Sequence, residues 1–328
     1  MRTNTHKARI VMVLLTVLGL PLYVAAQPAR YPARPIRMIV PLPAAGSTDI
    51  VARIVAQKYT DAFGKTVIVD NRPGAGTSLG SELVARATPD GYTLLFASAS
   101  LATNVALYPK LPFDAIKDFA PVATVGQSFY VLIVQPSLGV NTVQELIAMA
   151  KAKPRHVQYA SAGQGTITHM AVELFMMNAQ IKMQDVPFKG GAPALLAFLS
   201  GQMPVIFSPI AESLPYLRTG ARVRPLSVTA AKRVPDLPEV PTLMEAGVPD
   251  SVVMSRTGLL APAGTSQDVI KILNTEMNRL LQQQDVRDRL SSHGLVPVGG
   301  TPAELAEYLR SEIVRWTRVV KVAGIKIE

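Results

Sequence analysis

The run Ile36-Arg37-Met38-Ile39-Val40-Pro41, the turn Leu42-Pro43-Ala44-Ala45-Gly46-Ser47-Thr48-Asp49 and the apolar stripe that follows set the pattern of the whole chain. A short β-rich run enters a turn, and the turn opens a helix. That helix is expected over 48–63, with Ile50, Ile54 and Val55 on one face, Thr48 or Asp49 as its cap and Gly64 as its stop. The same alternation repeats down the chain, with strands expected at 66–71, 92–98, 130–135, 157–160, 183–187, 204–208, 224–229 and 258–261. Several of these runs are continuously apolar, the mark of strands covered on both faces. The fold class is therefore α/β, with parallel sheets built from βαβ units.

Four of the connecting turns are rich in glycine and each opens a helix: 43–49, 73–78 (Pro-Gly-Ala-Gly-Thr-Ser), 161–168 (Ser-Ala-Gly-Gln-Gly-Thr-Ile-Thr) and 189–193 (Lys-Gly-Gly-Ala-Pro). A helix start exposes unpaired N–H groups and the positive end of the dipole, and glycine lets a ligand approach that backbone closely. Each turn is a candidate anion seat. The stretch Gly74-Ala75-Gly76-Thr77-Ser78-Leu79-Gly80 has one residue too many for a dinucleotide turn and follows Arg72-Pro73 instead of leaving a strand directly. It serves either as an anion seat or only as a helix entry.

The N-terminus carries Lys7 and Arg9, then an apolar run over 10–20 and the small residues Val24-Ala25-Ala26. A cleavable secretion signal over 1–26 and an exported mature protein are expected, because the apolar run is shorter than the ~20 residues that cross a bilayer. The chain has no cysteine, which excludes disulfides, thiolate metal sites, a lipidated N-terminus and a cysteine nucleophile. Formal charge is +10, and three of those charges (Arg2, Lys7, Arg9) sit in the leader with no acid, leaving +7 on the mature chain. Such a field attracts acidic ligands. No basic run is interleaved with aromatics, so nucleic acid is not an expected partner.

The expected mature length exceeds what one core usually serves, so two domains are expected. Pro121 with its small neighbours over 119–127, and Pro238, Pro241, Gly247 and Pro249, mark two crossings between them. The first domain is then discontinuous, 27–126 with 250–328, and the second is 127–249. Thr142 with Glu145, and Thr301 with Glu304 and Pro302, read as capping boxes; the second opens a helix with Leu305, Leu309, Ile313, Trp316 and Val320 on one core stripe. Over 269–282 another helix is expected, with Ile272, Leu273 and Leu280 inward.

The string Tyr31-Pro32-Ala33-Arg34-Pro35-Ile36-Arg37, the Gly-Ser-Thr-Asp turn at 46–49, Asp70-Asn71-Arg72-Pro73-Gly74-Ala75-Gly76, Pro89-Asp90-Gly91-Tyr92 and Leu259-Leu260-Ala261-Pro262-Ala263-Gly264-Thr265 resemble the substrate-binding proteins of tripartite tricarboxylate transporters, the Bug receptors. The resemblance runs from Tyr31 to the C-terminus and includes Leu111-Pro112-Phe113-Asp114 and Val186-Pro187-Phe188-Lys189-Gly190. It implies a two-lobed periplasmic binding fold of type II kind, each lobe a sheet flanked by helices. The lobes would close on a small organic acid and present it to the integral-membrane permease subunits; a sensor kinase is a second conceivable partner. A monomer without cofactor or metal is expected.

The resemblance puts Leu42, Ala45, Gly46, Ser47, Thr48 and Asp49 on one cleft wall, with Gly74, Ala75, Gly76 and Thr77 beside them. Ser161, Gly163, Gly165, Thr166, Thr168 and Ser208 come from the opposite wall. The chain departs from the family pattern in three places. Pro43-Ala44-Ala45-Gly46 stands for Pro-Pro-Gly-Gly; Phe207-Ser208 stands for Phe-Asp, removing an acid that would suit an amino group; Arg256-Thr257 replaces an aromatic with a cation. Arg256 either faces the cleft or is a solvated charge, and Arg72 either braces its turn or reaches the ligand. His169 and Glu173 share a helix face and read as a surface or hinge-side salt bridge. A periplasmic hydrolase or isomerase of carboxylates is the second functional reading, but it needs an activated base or nucleophile that these turns do not supply.

Overall fold

The computed structural model describes residues 31–219 and 223–325, so the expected leader lies outside the described residues. In chain order the elements are β1 (Ile36–Val40), α1 (Ser47–Phe63), β2 (Val67–Asn71), α2 (Ser78–Ala85), β3 (Thr93–Ala97), α3 (Ser100–Leu107), β4 (Phe119–Val134), α4 (Val143–Ala152), β5 (Gln158–Ser161), α5 (Ile167–Ala179), β6 (Gln184–Pro187), α6 (Gly191–Leu199), β7 (Val205–Pro209), α7 (Ile210–Arg218), β8 (Arg224–Val228), β9 (Met254–Pro262), α8 (Gln267–Leu280), α9 (Gln284–Ser292), β10 (Val296–Gly299) and α10 (Pro302–Ala323).

The strands form one mixed sheet in the order β2-β1-β3-β9-β4-β7-β5-β6, with β8 and β10 also paired to β4. β1 pairs in parallel with β2 and β3, and β5 with β6 and β7, as βαβ units require. The middle is antiparallel. Long β4 pairs with β9 over Phe119–Phe129 and with β7 over Tyr130–Val134, so a single strand belongs to both half-sheets. The stretch 119–127, expected to precede a fresh strand at 130, is instead the first part of this one strand. Pro121 lies inside β4, where the register shifts between Pro121 and Ala123 and again between Thr124 and Gly126. Such irregularities are where a strand tolerates proline.

Helices cover both faces of each half-sheet, which accounts for the continuously apolar strands. α1 and α8 pack Ile54, Val55, Leu273 and Met277 against β1 and β3. On the second half-sheet α5 buries Met170 and Phe175 on one face, and α6 buries Leu195 and Phe198 on the other. α10 bridges the two: Leu305 and Leu309 join the cluster around Leu95 and Leu260, whereas Trp316 and Val319 join the cluster around Leu132 and Phe175. Ile313 and Val320 are only partly buried. On α8 the inward residues are Ile270, Leu273, Met277 and Leu280, and Ile272 is 36% exposed, contrary to the stripe expected from sequence. The Thr301 capping box forms as expected, with Pro302 at the first helical position. α1 instead starts from Gly46 with no side-chain cap, because Asp49 is engaged elsewhere.

Candidate functional site

Where β4 passes from one half-sheet to the other, a cavity of about 220 Å³ opens between them. Four helix starts wall it: Ser47 and Thr48 of α1, Ala99 and Ser100 of α3, Ile167 of α5, and Pro209, Ala211 and Glu212 of α7. The first residues of each helix carry N–H groups with no helical acceptor, so four positive dipole ends converge on one small space. Hydroxyls fill much of the remaining wall, from Ser98, Ser128, Tyr130, Ser255 and Thr257. Among the described residues no lysine or arginine lines the cavity, and its ionisable side chains other than Tyr130 are Glu212 and His293. This arrangement binds an anion through neutral dipoles and hydroxyl donors.

The first turn is built around Asp49, which is buried. Its Oδ2 accepts from the Ala45 N–H and from Arg53 Nε, both at 2.9 Å, and its Oδ1 accepts from Asn71 Nδ2 at 2.9 Å. Burial opposes the charge, but these donors outweigh it and hold the carboxyl below its ordinary range. Asp49 thus clamps the turn from behind, and Ala45 takes φ +65° within it. The Leu42 carbonyl accepts from the same Asn71 amide at 3.1 Å. Gly46, as the residue before α1, sets where Ser47 and Thr48 face the cavity.

Gly74, Ala75, Gly76 and Thr77 do not line this cavity. All four have positive φ, at +141°, +46°, +61° and +86°. Asn104 of α3 fixes them by donating Nδ2–H to the Gly76 carbonyl at 2.5 Å and to Thr77 Oγ1 at 3.0 Å. Residues 72–76 remain exposed. Arg72 lies against Asp70, Nε to Oδ1 3.0 Å, which is the bracing position.

In the 161–168 turn the hydroxyls are engaged in shaping the backbone. Thr166 Oγ1 donates to the Gly163 carbonyl at 2.6 Å and caps α5 by accepting from His169 N–H at 3.5 Å. Thr168 Oγ1 accepts from Ala162 N–H at 3.2 Å, and Ser161 Oγ from Gly163 N–H at 3.3 Å. Thr168 and Ser208 also line a void of about 10 Å³ beside Gly191, at the start of α6. What this turn offers the cavity is the start of α5 at Ile167.

His169 is buried, which rules out the surface half of the expected surface or hinge-side pair. Its Nδ1 accepts from the Gly165 N–H at 3.3 Å, and Nε2 lies 3.6 Å from Glu173 Oε1 and 3.8 Å from Asp185 Oδ2. Burial lowers the His169 pKa and raises those of Glu173 and Asp185. The folded chain therefore retains a proton on Glu173 at pH values where the unfolded chain has released it. Stability from that group is present below its ordinary value of 4.5 and is lost as pH rises through the raised one. Glu173→Gln keeps an acceptor for the Tyr159 hydroxyl, which bonds Glu173 Oε1 at 3.1 Å, and does not titrate. Its melting temperature should gain on the parent protein as pH rises above about 4.5. A difference that stays constant with pH would refute this.

Arg256 stands off the cavity. Alternate residues of β9 face opposite ways, so Ser255 and Thr257 reach the cavity while the Arg256 guanidinium lies 4.5 Å over the Tyr308 ring. Sequence reading missed α3 and α7 as site elements. The signal available to it was Ser98-Ala99-Ser100 and the Pro209 that precedes α7, neither of which has a glycine to mark it. It also took the acid to be absent at Ser208, but Glu212, one turn further on, stands in the cavity wall.

Two half-sheets sharing a long strand, with helix starts gathered at the crossing, define a solute-binding protein of the periplasmic kind. Residues 51–325 match the family described as the tripartite tricarboxylate transporter family receptor. The chain is 36% identical over 300 residues to protein BugT of Bordetella pertussis, covering 91% of this chain and 92% of that one. Among solved structures, Rpa4515 of R. palustris with adipate superposes with a TM-score of 0.78 at 34% identity, over 90% of this chain and 99% of the other. MatC of Rhodopseudomonas palustris with bound malate gives a TM-score of 0.75 at 33% identity, over 88% and 100%. The chain belongs to the tripartite tricarboxylate transporter receptor family, which consists of receptors. Among the described residues no helix is long and apolar enough to cross a membrane.

Proposed function

We propose that this protein is a periplasmic receptor that captures a small carboxylate between two lobes and delivers it to a tripartite tricarboxylate-type permease. The lobes are 27–126 with 250–328, and 127–249, and they close by flexing the β4–β9 ribbon that joins them. The observation that carries this reading is the convergence of four helix starts on one cavity that, among the described residues, no lysine or arginine lines. Those dipoles favour a carboxylate. The adipate and malate held by two neighbours support the ligand class.

A thermal-shift panel of organic acids, each beside its amide, tests the reading. Acids should raise the melting temperature in a concentration-dependent way and amides should not. Thr166→Ala removes the cap of α5 and the bond that shapes its entry. It should lower stability by about 1 kcal/mol and weaken the best acid about tenfold, ~1.4 kcal/mol. If no acid stabilises the protein, or if amides do so equally, the reading is wrong.

A further inference from the structure

The cavity holds one feature that a site for plain carboxylates does not explain. Pro209 aside, the residues that face it from the helix starts and the hydroxyls can donate a hydrogen bond to an anion, whereas the Glu212 side chain when ionised only accepts. Glu212 is the third residue of α7 and is exposed to the space between the half-sheets. Its Oε2 lies 3.5 Å from where a Cβ on Gly191 would stand, so it faces the start of α6 as well. Among the described residues it has no salt-bridge partner, and no lysine or arginine joins it on the cavity wall. A ligand with only carboxylates would set like charges together in a cavity of about 220 Å³. A ligand that also carries a cationic nitrogen would complete the set, its acid end on the helix starts and its N–H groups on Glu212.

Resting on the carboxylate reading above, we infer that the natural ligand is an amino-carboxylate and that Glu212 is the residue that selects its ammonium group. Glu212 would then supply the acid for an amino group that Ser208 does not. The selection is a charge-assisted hydrogen bond, and its worth is greatest where closure excludes water. His293, just after α9, is the other non-tyrosine ionisable group among the described residues of the wall.

The test is calorimetric titration with matched pairs that differ by one amino group: aspartate and succinate, glutamate and glutarate, 2-aminoadipate and adipate, 4-(aminomethyl)benzoate and 4-methylbenzoate. In the pairs that bind, the amino member should bind at least tenfold tighter to the parent protein. In Glu212→Gln that preference should fall to within about twofold, with the ligand-free melting temperature unchanged. The inference is overturned if the nitrogen-free member binds as tightly in every pair that binds, or if Glu212→Gln keeps the preference. It is equally overturned if Glu212→Gln lowers the ligand-free melting temperature and leaves the ranking alone, because Glu212 then serves only the starts of α6 and α7. Should no acid of either kind bind, the carboxylate reading itself fails and takes this one with it.

Discussion

Trp316→Ala should remove about 3–5 kcal/mol of stability, the range for deleting a large buried aromatic. Trp316 is fully buried, and its Nε1–H donates to Glu312 Oε2 at 2.8 Å. Glu312 is itself buried, with burial raising its carboxyl and Arg315 opposing from 3.1 Å. The substitution therefore opens a cavity and also leaves a buried carboxylate oxygen without its donor. Trp316 is the single tryptophan, so unfolding in urea must be followed by circular dichroism. Trp316→Phe, which keeps most of the apolar volume and loses the hydrogen bond, should cost distinctly less. Equal losses in the two variants would mean that the Glu312 bond, not packing, dominates.

The position of Trp316 gives this loss a second meaning. α10 starts against the first half-sheet through Leu305 and Leu309 and ends, at Trp316 and Val319, in the core of the second. It is a strap across the crossing that β4 makes, and weakening its far end should loosen the half-sheets relative to each other before either unfolds.

The stripe itself was legible, because a capping box, a proline at the first helical position and a period near 3.6 all agree over 301–320. Most strands were legible for the same reason: short apolar β-branched runs bounded by turns. What sequence could not show was pairing. From sequence β4 starts at 130, because Pro121 and the small residues after it resemble a break. The strand continues because its neighbour β9 is long enough to hold it through two register shifts. β10, over Val296–Gly299, escaped notice because Pro297 and Gly299 dilute a four-residue run. The site was legible as chemistry and less so as geometry. Helix starts were expected to face the ligand, and those of α1 and α5 do line the cavity. The glycine turn at 74–77 stands aside from it, and Asp49 acts inside its own turn. Nothing in a linear sequence marks α3 and α7 as opposite walls of one cavity, since long-range strand order brings them together.

Gly294→Val should abolish most ligand binding, by a hundredfold or more, because Gly294 is where the two walls of the cavity touch. A Cβ on Gly294 would lie 2.4 Å from the Ala211 Cβ, far inside contact distance. Both residues line the cavity, Gly294 just beyond α9 and Ala211 on α7. The backbone cannot step away cheaply, since the Gly294 carbonyl accepts from Ser128 Oγ on β4 at 2.9 Å. A branched side chain there must wedge α7 away, and with it the helix start that carries Glu212. Some stability is also lost because Gly294 has φ +78°, where a side chain costs roughly 1–2 kcal/mol. Gly64→Ala separates the two effects. Gly64 closes α1 at φ +63° with nothing within 4 Å of the added Cβ, so it carries the backbone strain without the collision. Gly64→Ala should lose comparable stability and bind normally, whereas Gly294→Val should lose both. If the two variants bind alike, the contact between Gly294 and Ala211 does not set the spacing of the walls, and closure must be governed from elsewhere along the β4–β9 ribbon.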